Sequence, residues 1–147
     1  MFNKILFWLF AMVLMVCGSA HASAMVSVKL DKSSLRSGPG EKFPVVWTLG
    51  AGFPLSALEE QEDWYKVVDF EGDSGWIRKK LVGKEPHVIV KAEKANIRSG
   101  PSDRYKLIGT ANRGVVFQTL KVKNDWVKVK HGKGLTGWVS RSLLWGL

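Results

Sequence analysis

The sequence predicts an all-β protein built from two small β-barrels in tandem. Three observations carry that reading. Leu35-Arg36-Ser37-Gly38-Pro39 returns as Ile97-Arg98-Ser99-Gly100-Pro101, and residues 25–85 align without a gap over 87–147 at the same offset of 62 positions. Neither copy keeps a helical period long enough for a helix. Each breaks instead into short alternating apolar stretches divided by Gly, Pro and Asp, the pattern of a small barrel.

Taken in order, the chain opens with a segment that stands apart from the repeat. Lys4 precedes an apolar run from Ile5 to Val16, and Ala20-His21-Ala22 follows with the small-x-small pattern of a secretory cleavage site. The run is shorter than the roughly 20 residues a spanning helix needs. Residues 1–22 therefore read as a signal peptide cut near Ala22, with Ala24 as a second cleavage point and a retained N-terminus as the alternative. The protein is expected to be exported, either periplasmic or secreted. Its single cysteine, Cys17, lies inside this segment, so the mature chain would hold no disulfide and no thiol nucleophile.

The repeated unit then reads as five strands. Val26-x-Val28 and Val88-x-Val90 alternate as half-buried strands do. Gly38-Pro39 and Gly100-Pro101 are turn chemistry that opens a long irregular loop. Val45-Val46-Trp47 and Leu107-Ile108 restart the sheet. Phe53–Leu58 and Val115–Leu120 make the third strand, each after a glycine. Trp64–Val68 and Trp126–Lys130 alternate cleanly, and Gly75-Trp76-Ile77 and Gly137-Trp138-Val139 close the set. Leu81 and Leu143 should seal each core from a single helical turn. A unit this small buries only about 60% of its unfolded surface, so the domains at 25–85 and 87–147 are expected to pack together.

Charge separates the two copies. The whole chain carries +9, but residues 24–83 hold eight Lys and Arg against nine Asp and Glu, while residues 86–147 hold twelve against three. A near-neutral unit and a strongly basic one do not suit the same partner. Lys121, Lys123, Lys128, Lys130 and Lys133 gather around the fourth strand of the second copy, where alternation with Val127 and Val129 sets Lys128 and Lys130 on one exposed face. Such a patch attracts polyanions.

Together, Leu/Ile-Arg-Ser-Gly-Pro, Asp-Trp-x-Lys-Val and Gly-Trp-Ile/Val resemble the bacterial SH3-like (SH3b) domain, over both copies and so nearly all the mature chain. The resemblance implies two SH3-like barrels. It also implies non-catalytic modules of exported proteins, many of which bind peptidoglycan peptides or other wall polymers and often sit beside a hydrolase. The segment around Cys17 resembles a lipoprotein attachment site only weakly, since the branched Val16 stands where a small residue is wanted.

Catalysis finds little support in the residues. His87 and His131 align with Met25 and Asp69, so neither belongs to a repeated site; both read as solvated, and neither has a Cys or His nearby to complete a zinc set. No metal and no cofactor is expected. The acidic run Glu59–Asp63 is placed on the connection between two strands, with docking to the basic sister unit as its alternative use. Trp64, Trp126, Trp76 and Trp138 recur, and core packing is their simpler role. The alternative is a ligand groove overhung by the loop that carries Phe43 and Tyr105. Arg36 and Arg98 could hold a carboxylate by paired hydrogen bonds, though fastening their own loop is the simpler use. The expected partner is a cell-wall peptide or an anionic envelope polymer, or else another envelope protein, and not nucleic acid.

Overall fold

Alternation along the strands sorts the side chains of each unit into a core layer and an outer layer. In the computed structural model residues 23–132 and 134–147 are described. The expected signal peptide, Cys17 and Lys133 lie outside them. The first unit consists of β1 (Ala24–Val28), β2 (Ser33–Arg36), β3 (Val45–Leu49), β4 (Pro54–Gln61), β5 (Trp64–Val68), β6 (Ser74–Arg78) and β7 (Val82–Gly83). The second repeats them as β8 (His87–Val90), β9 (Lys94–Arg98), β10 (Leu107–Asn112), β11 (Val116–Lys123), β12 (Trp126–Lys130), β13 (Thr136–Ser140) and β14 (Leu144–Trp145). Strand order is β3-β2-β6-β5-β4-β1-β7 in one sheet and β10-β9-β13-β12-β11-β8-β14 in the other, the same path twice.

Seven strands per unit replace the five read from the sequence, for two local reasons. A turn through Asp31 and Lys32, the latter at φ 60, splits the first extended stretch into β1 and β2. A single 3-10 turn, Lys79–Leu81 or Arg141–Leu143, then redirects the chain so that a two-residue strand pairs back onto the first, Val82 opposite Val28 and Leu144 opposite Val90. Leu81 and Leu143 pack against their cores from those turns.

The cores are built from equivalent positions. Val28, Leu35, Leu55, Val67, Ile77 and Val82 fill the first, and Val90, Ile97, Phe117, Val129, Val139 and Leu144 fill the second. Burial of one such branched or aromatic side chain contributes about 1.5–3 kcal/mol. The repeated Leu58 and Leu120 do not join them. The β4–β5 and β11–β12 registers shift at these residues, and each leucine is the extra residue of a bulge, 40% and 46% exposed.

The two barrels meet through the linker and the strands beside it. The Thr119 amide donates to the Pro86 carbonyl at 2.9 Å, and the Ser27 hydroxyl donates to the Glu85 carbonyl. His87 Nδ1 lies 3.1 Å from that same Ser27 hydroxyl, so His87 is a joint residue and not the solvated one the sequence suggested. His131 is engaged too, edge-on to Phe117 with centroids 5.9 Å apart. Arg113 reaches across the joint to Glu71 at 3.3 Å, its guanidinium 5.1 Å from the centre of the Phe70 ring.

Candidate ligand-binding faces

Register places the tryptophans outside the cores. Trp64 and Lys66 point away from the side of β5 that buries Val67, and Trp76 points opposite to buried Ile77. The same holds in the second unit, where Val127 and Val129 are buried and Trp126 and Lys128 face outward. Core packing is therefore corrected for Trp76, Trp126 and Trp138, which the buried clusters do not contain, whereas Trp64 is itself buried, outside the apolar cluster of its unit. Each outer face is a pair of cross-strand rows. Arg36, Trp76, Lys66 and Glu59 run side by side across β2, β6, β5 and β4, and Arg78, Trp64 and Gln61 form the next row. In the second unit the rows read Arg98, Trp138, Lys128, Lys121, and then Ser140, Trp126, Lys123.

The loop after Arg-Ser-Gly-Pro overhangs this face, and one arginine ties it down. Arg36 Nη1 donates to the Phe43 carbonyl at 2.9 Å and to the Glu41 carbonyl at 3.2 Å; Arg98 Nη1 donates to the Tyr105 carbonyl at 3.1 Å. Glycine is required at the crossing point. A Cβ on Gly38 would lie 2.5 Å from the Phe43 ring, and one on Gly100 would lie 2.4 Å from the Tyr105 ring. Gly38 and Gly100 thus serve close approach of an aromatic ring, a reason beyond the turn chemistry read from Gly-Pro.

Here the two faces diverge. In the first unit the Glu41 carboxylate joins two guanidiniums, accepting from Arg36 Nη2 at 2.9 Å and from Arg78 Nε at 2.6 Å. The Arg78 hydrogen bond holds the Glu41 carboxyl below the usual carboxylate range. Arg78, so anchored, lies over Trp64 with its guanidinium 5.0 Å from the ring centre, and Trp64 is left 6% exposed on a nominally outer face. Lys66 pairs with Glu59 at 3.0 Å and Lys79 with Glu60 at 2.6 Å, which raises the Lys79 pKa. The acidic run is thereby corrected twice. Glu59–Gln61 extend β4, leaving only Glu62 and Asp63 in the turn, and Glu59 and Glu60 pair within their own unit. Among the described residues the ion pair across the joint is made by Glu71 instead.

In the second unit Ser140 stands where Arg78 would be, and Asp103, one methylene shorter, stands for Glu41. Asp103 is 89% exposed in its side chain and only 3.7 Å from Arg98 Nε, a looser contact than Glu41 makes. Trp126 loses its cover and becomes half-buried. It forms the floor of a cleft of about 450 Å³ with Tyr105, Pro101, Arg104 and Lys123. Lys121 stands opposite Lys128, two like charges in the register position where the first unit sets Glu59 against Lys66. Lys121, Lys123 and Lys130 are exposed and Lys128 is half-buried. Positions 41/103 and 78/140 were not singled out from the sequence; the unequal pairs Glu/Asp and Arg/Ser in the gapless alignment were the available signal. No group of three or more His, Cys, Asp or Glu side chains is placed to hold a metal ion among the described residues.

The family model for the bacterial SH3 domain matches residues 29–84 and again 91–146. A curated relative, "Putative N-acetylmuramoyl-L-alanine amidase YrvJ" of Bacillus subtilis (strain 168), is 26% identical over 133 residues, covering 83% of this chain. The chain spans only 25% of that relative's length. Similar solved structures include NlpC2 from Trichomonas vaginalis, 14% identical with a TM-score of 0.38, covering 86% of this chain and 49% of that one. An NlpC/P60 family protein from Bacillus cereus ATCC 10987 is 16% identical with a TM-score of 0.36, covering 83% of this chain and 56% of that one. Likeness this loose carries no argument about activity. The repeated motifs, the twice-traced sheet and the two model matches agree, and the chain belongs to the bacterial SH3 domain family, in two tandem copies.

Proposed function

We propose that this protein is an exported, non-catalytic binding protein that engages peptidoglycan through its SH3-like units. The observation that carries the reading is the open cleft of the second unit. A tryptophan floor, a tyrosine wall and an arginine-tied loop offer apolar contact beside several cations, which suits a charged peptide or glycopeptide better than a purely apolar ligand. Family membership and the amidase name of the curated relative support a cell-wall setting. Co-sedimentation with purified sacculi tests it. The full-length protein should pellet with sacculi at low salt, and Trp126→Ala or Tyr105→Ala should release it; absence of pelleting, or binding indifferent to both changes, rejects the reading.

An adaptor role toward another envelope protein is favoured by one feature. β3 is the edge of its sheet, and Val45, Val46 and Trp47 are exposed along it, Trp47 at 56%. An unpaired apolar edge can accept a strand from another chain. A single dominant cross-linked protein in envelope extracts, with no sacculus binding, would select that role.

A further inference from the structure

We infer that the two units divide the work: the second takes a carboxylate-bearing peptide across Trp126 and the Arg98–Lys128–Lys121 row, whereas in the first Trp64 is covered by an Arg78 that Glu41 holds. The inference deepens the peptidoglycan reading and rests on it.

The first unit shows what this frame holds. Its loop delivers a carboxylate, Glu41, to two guanidiniums, and the resulting Arg78 lid covers Trp64. Charge-assisted hydrogen bonds to guanidinium are the stronger kind, and the carboxylate is the group they suit. The equivalent place in the second unit lacks both parts of that closure. Ser140 cannot cover Trp126, and Asp103 points to solvent with only a 3.7 Å approach to Arg98. Tryptophan floor, loop and arginine are all kept, while the internal carboxylate has withdrawn.

The charges on the cross-strand row beside Trp126 agree. In the first unit each outer-face cation named above has an acidic neighbour: Arg36 and Arg78 share Glu41, Lys66 has Glu59, and Lys79 has Glu60. In the second, Lys121 replaces Glu59 and faces Lys128 directly, an arrangement that costs stability in a sheet. An anion lying over the pair removes that cost. Strands lie about 4.8 Å apart, so Arg98, Lys128 and Lys121 span roughly 14 Å across four strands, enough for a short extended peptide with more than one carboxylate.

The test uses the full-length protein and three sacculus preparations: native, carbodiimide-amidated to remove free carboxylates, and hydrofluoric-acid-treated to strip phosphodiester-linked polymers. Retention at low salt should survive the acid treatment and fall about fivefold or more on amidated sacculi, the factor expected when two or three surface charge pairs are lost. Building the lid into the second unit with Asp103→Glu and Ser140→Arg should produce a similar fall on native sacculi. Opening the first unit with Glu41→Ser and Arg78→Ser should leave retention equal or raised. Indole NMR signals check that each variant is folded, and Lys121→Gln supplies a milder change of the same sign. Retention that is indifferent to amidation, lost only on acid treatment, or unaltered in a folded lid variant overturns the carboxylate inference and leaves wall binding standing. Failure to pellet with any preparation rejects the peptidoglycan reading itself.

Discussion

Trp64 and Trp126 occupy the same register position on the same strand of two barrels with equivalent cores, yet one is buried beneath an arginine and the other is the half-buried floor of a cleft. The difference comes from one distant pair of side chains and not from the tryptophans or their strands. Arg78 and Glu41, 37 residues apart in sequence, meet above Trp64; Ser140 and Asp103 cannot. In the first unit the frame pairs its outer-face cations with its own carboxylates, Arg36 and Arg78 sharing Glu41, and Arg78 covers Trp64. In the second the same frame keeps Arg98, Lys128 and its aromatic floor, with Asp103 at 3.7 Å from Arg98 as a looser internal counterpart. A duplicated fold thus keeps its core and changes its surface, because six equivalent apolar positions must pack whereas an outer-face charge costs little to exchange.

The largest expected effect comes from disturbing what the two faces share. Gly100→Ala drives a Cβ to within 2.4 Å of the Tyr105 ring, and Gly38→Ala does the same against Phe43 at 2.5 Å. Each should cost about 1–3 kcal/mol in denaturant unfolding, since the ring must leave its seat. Equal losses in the two units would mark the loop as a common structural part; loss of sacculus binding should accompany only the Gly100 change.

A smaller effect should separate stability from binding. Lys121→Glu installs opposite Lys128 the acidic partner that Lys66 already has in Glu59. The variant should gain about 0.2–1 kcal/mol in urea unfolding, as a favourable cross-strand pair does, while its retention on sacculi falls. A stabilised variant that binds as before would remove the Lys121–Lys128 pair from the binding face.

The smallest effect is a pH response confined to the first unit. Glu41 has a depressed pKa because Arg78 donates to it, so its contribution is fully present above the ordinary carboxylate value of about 4.3. That contribution is lost as pH falls through the lower folded value. Acidification should therefore loosen Arg78 and raise acrylamide quenching of Trp64, followed in a background in which Trp47, Trp76, Trp126, Trp138 and Trp145 are replaced by Phe. Arg78→Ser should give the quenched level at neutral pH. A Trp64 signal that ignores both changes would show the lid to be held by something other than Glu41.

Much of this molecule was legible in the chain. The gapless repeat located both units, and alternation in Trp64–Val68 and Trp126–Lys130 located their central strands within a residue. The same alternation already set Trp64 with Lys66 opposite Val67, and Trp126 with Lys128 opposite Val127 and Val129; aromatic size suggested core, and for Trp126 spacing was the better guide. The strand count was underestimated because the Asp31–Lys32 turn, the bend at Ala92–Glu93 and the 3-10 turns Lys79–Leu81 and Arg141–Leu143 hold no glycine or proline to announce them. His87 and His131 looked solvated because neither repeats, although a joint between unlike copies, where His87 sits, has no reason to repeat, and His131 packs on Phe117 of its own unit.

By itself the sequence determined the duplication, the main alternating strands and the charge imbalance, because each is a local pattern of residue type and period. Only the tertiary structure decided which tryptophan is covered. That outcome depends on whether a loop carboxylate reaches an arginine on a strand far along the chain, and a difference of one methylene at Asp103 together with the loss of one guanidinium at Ser140 acts only once the loop lies over the sheet.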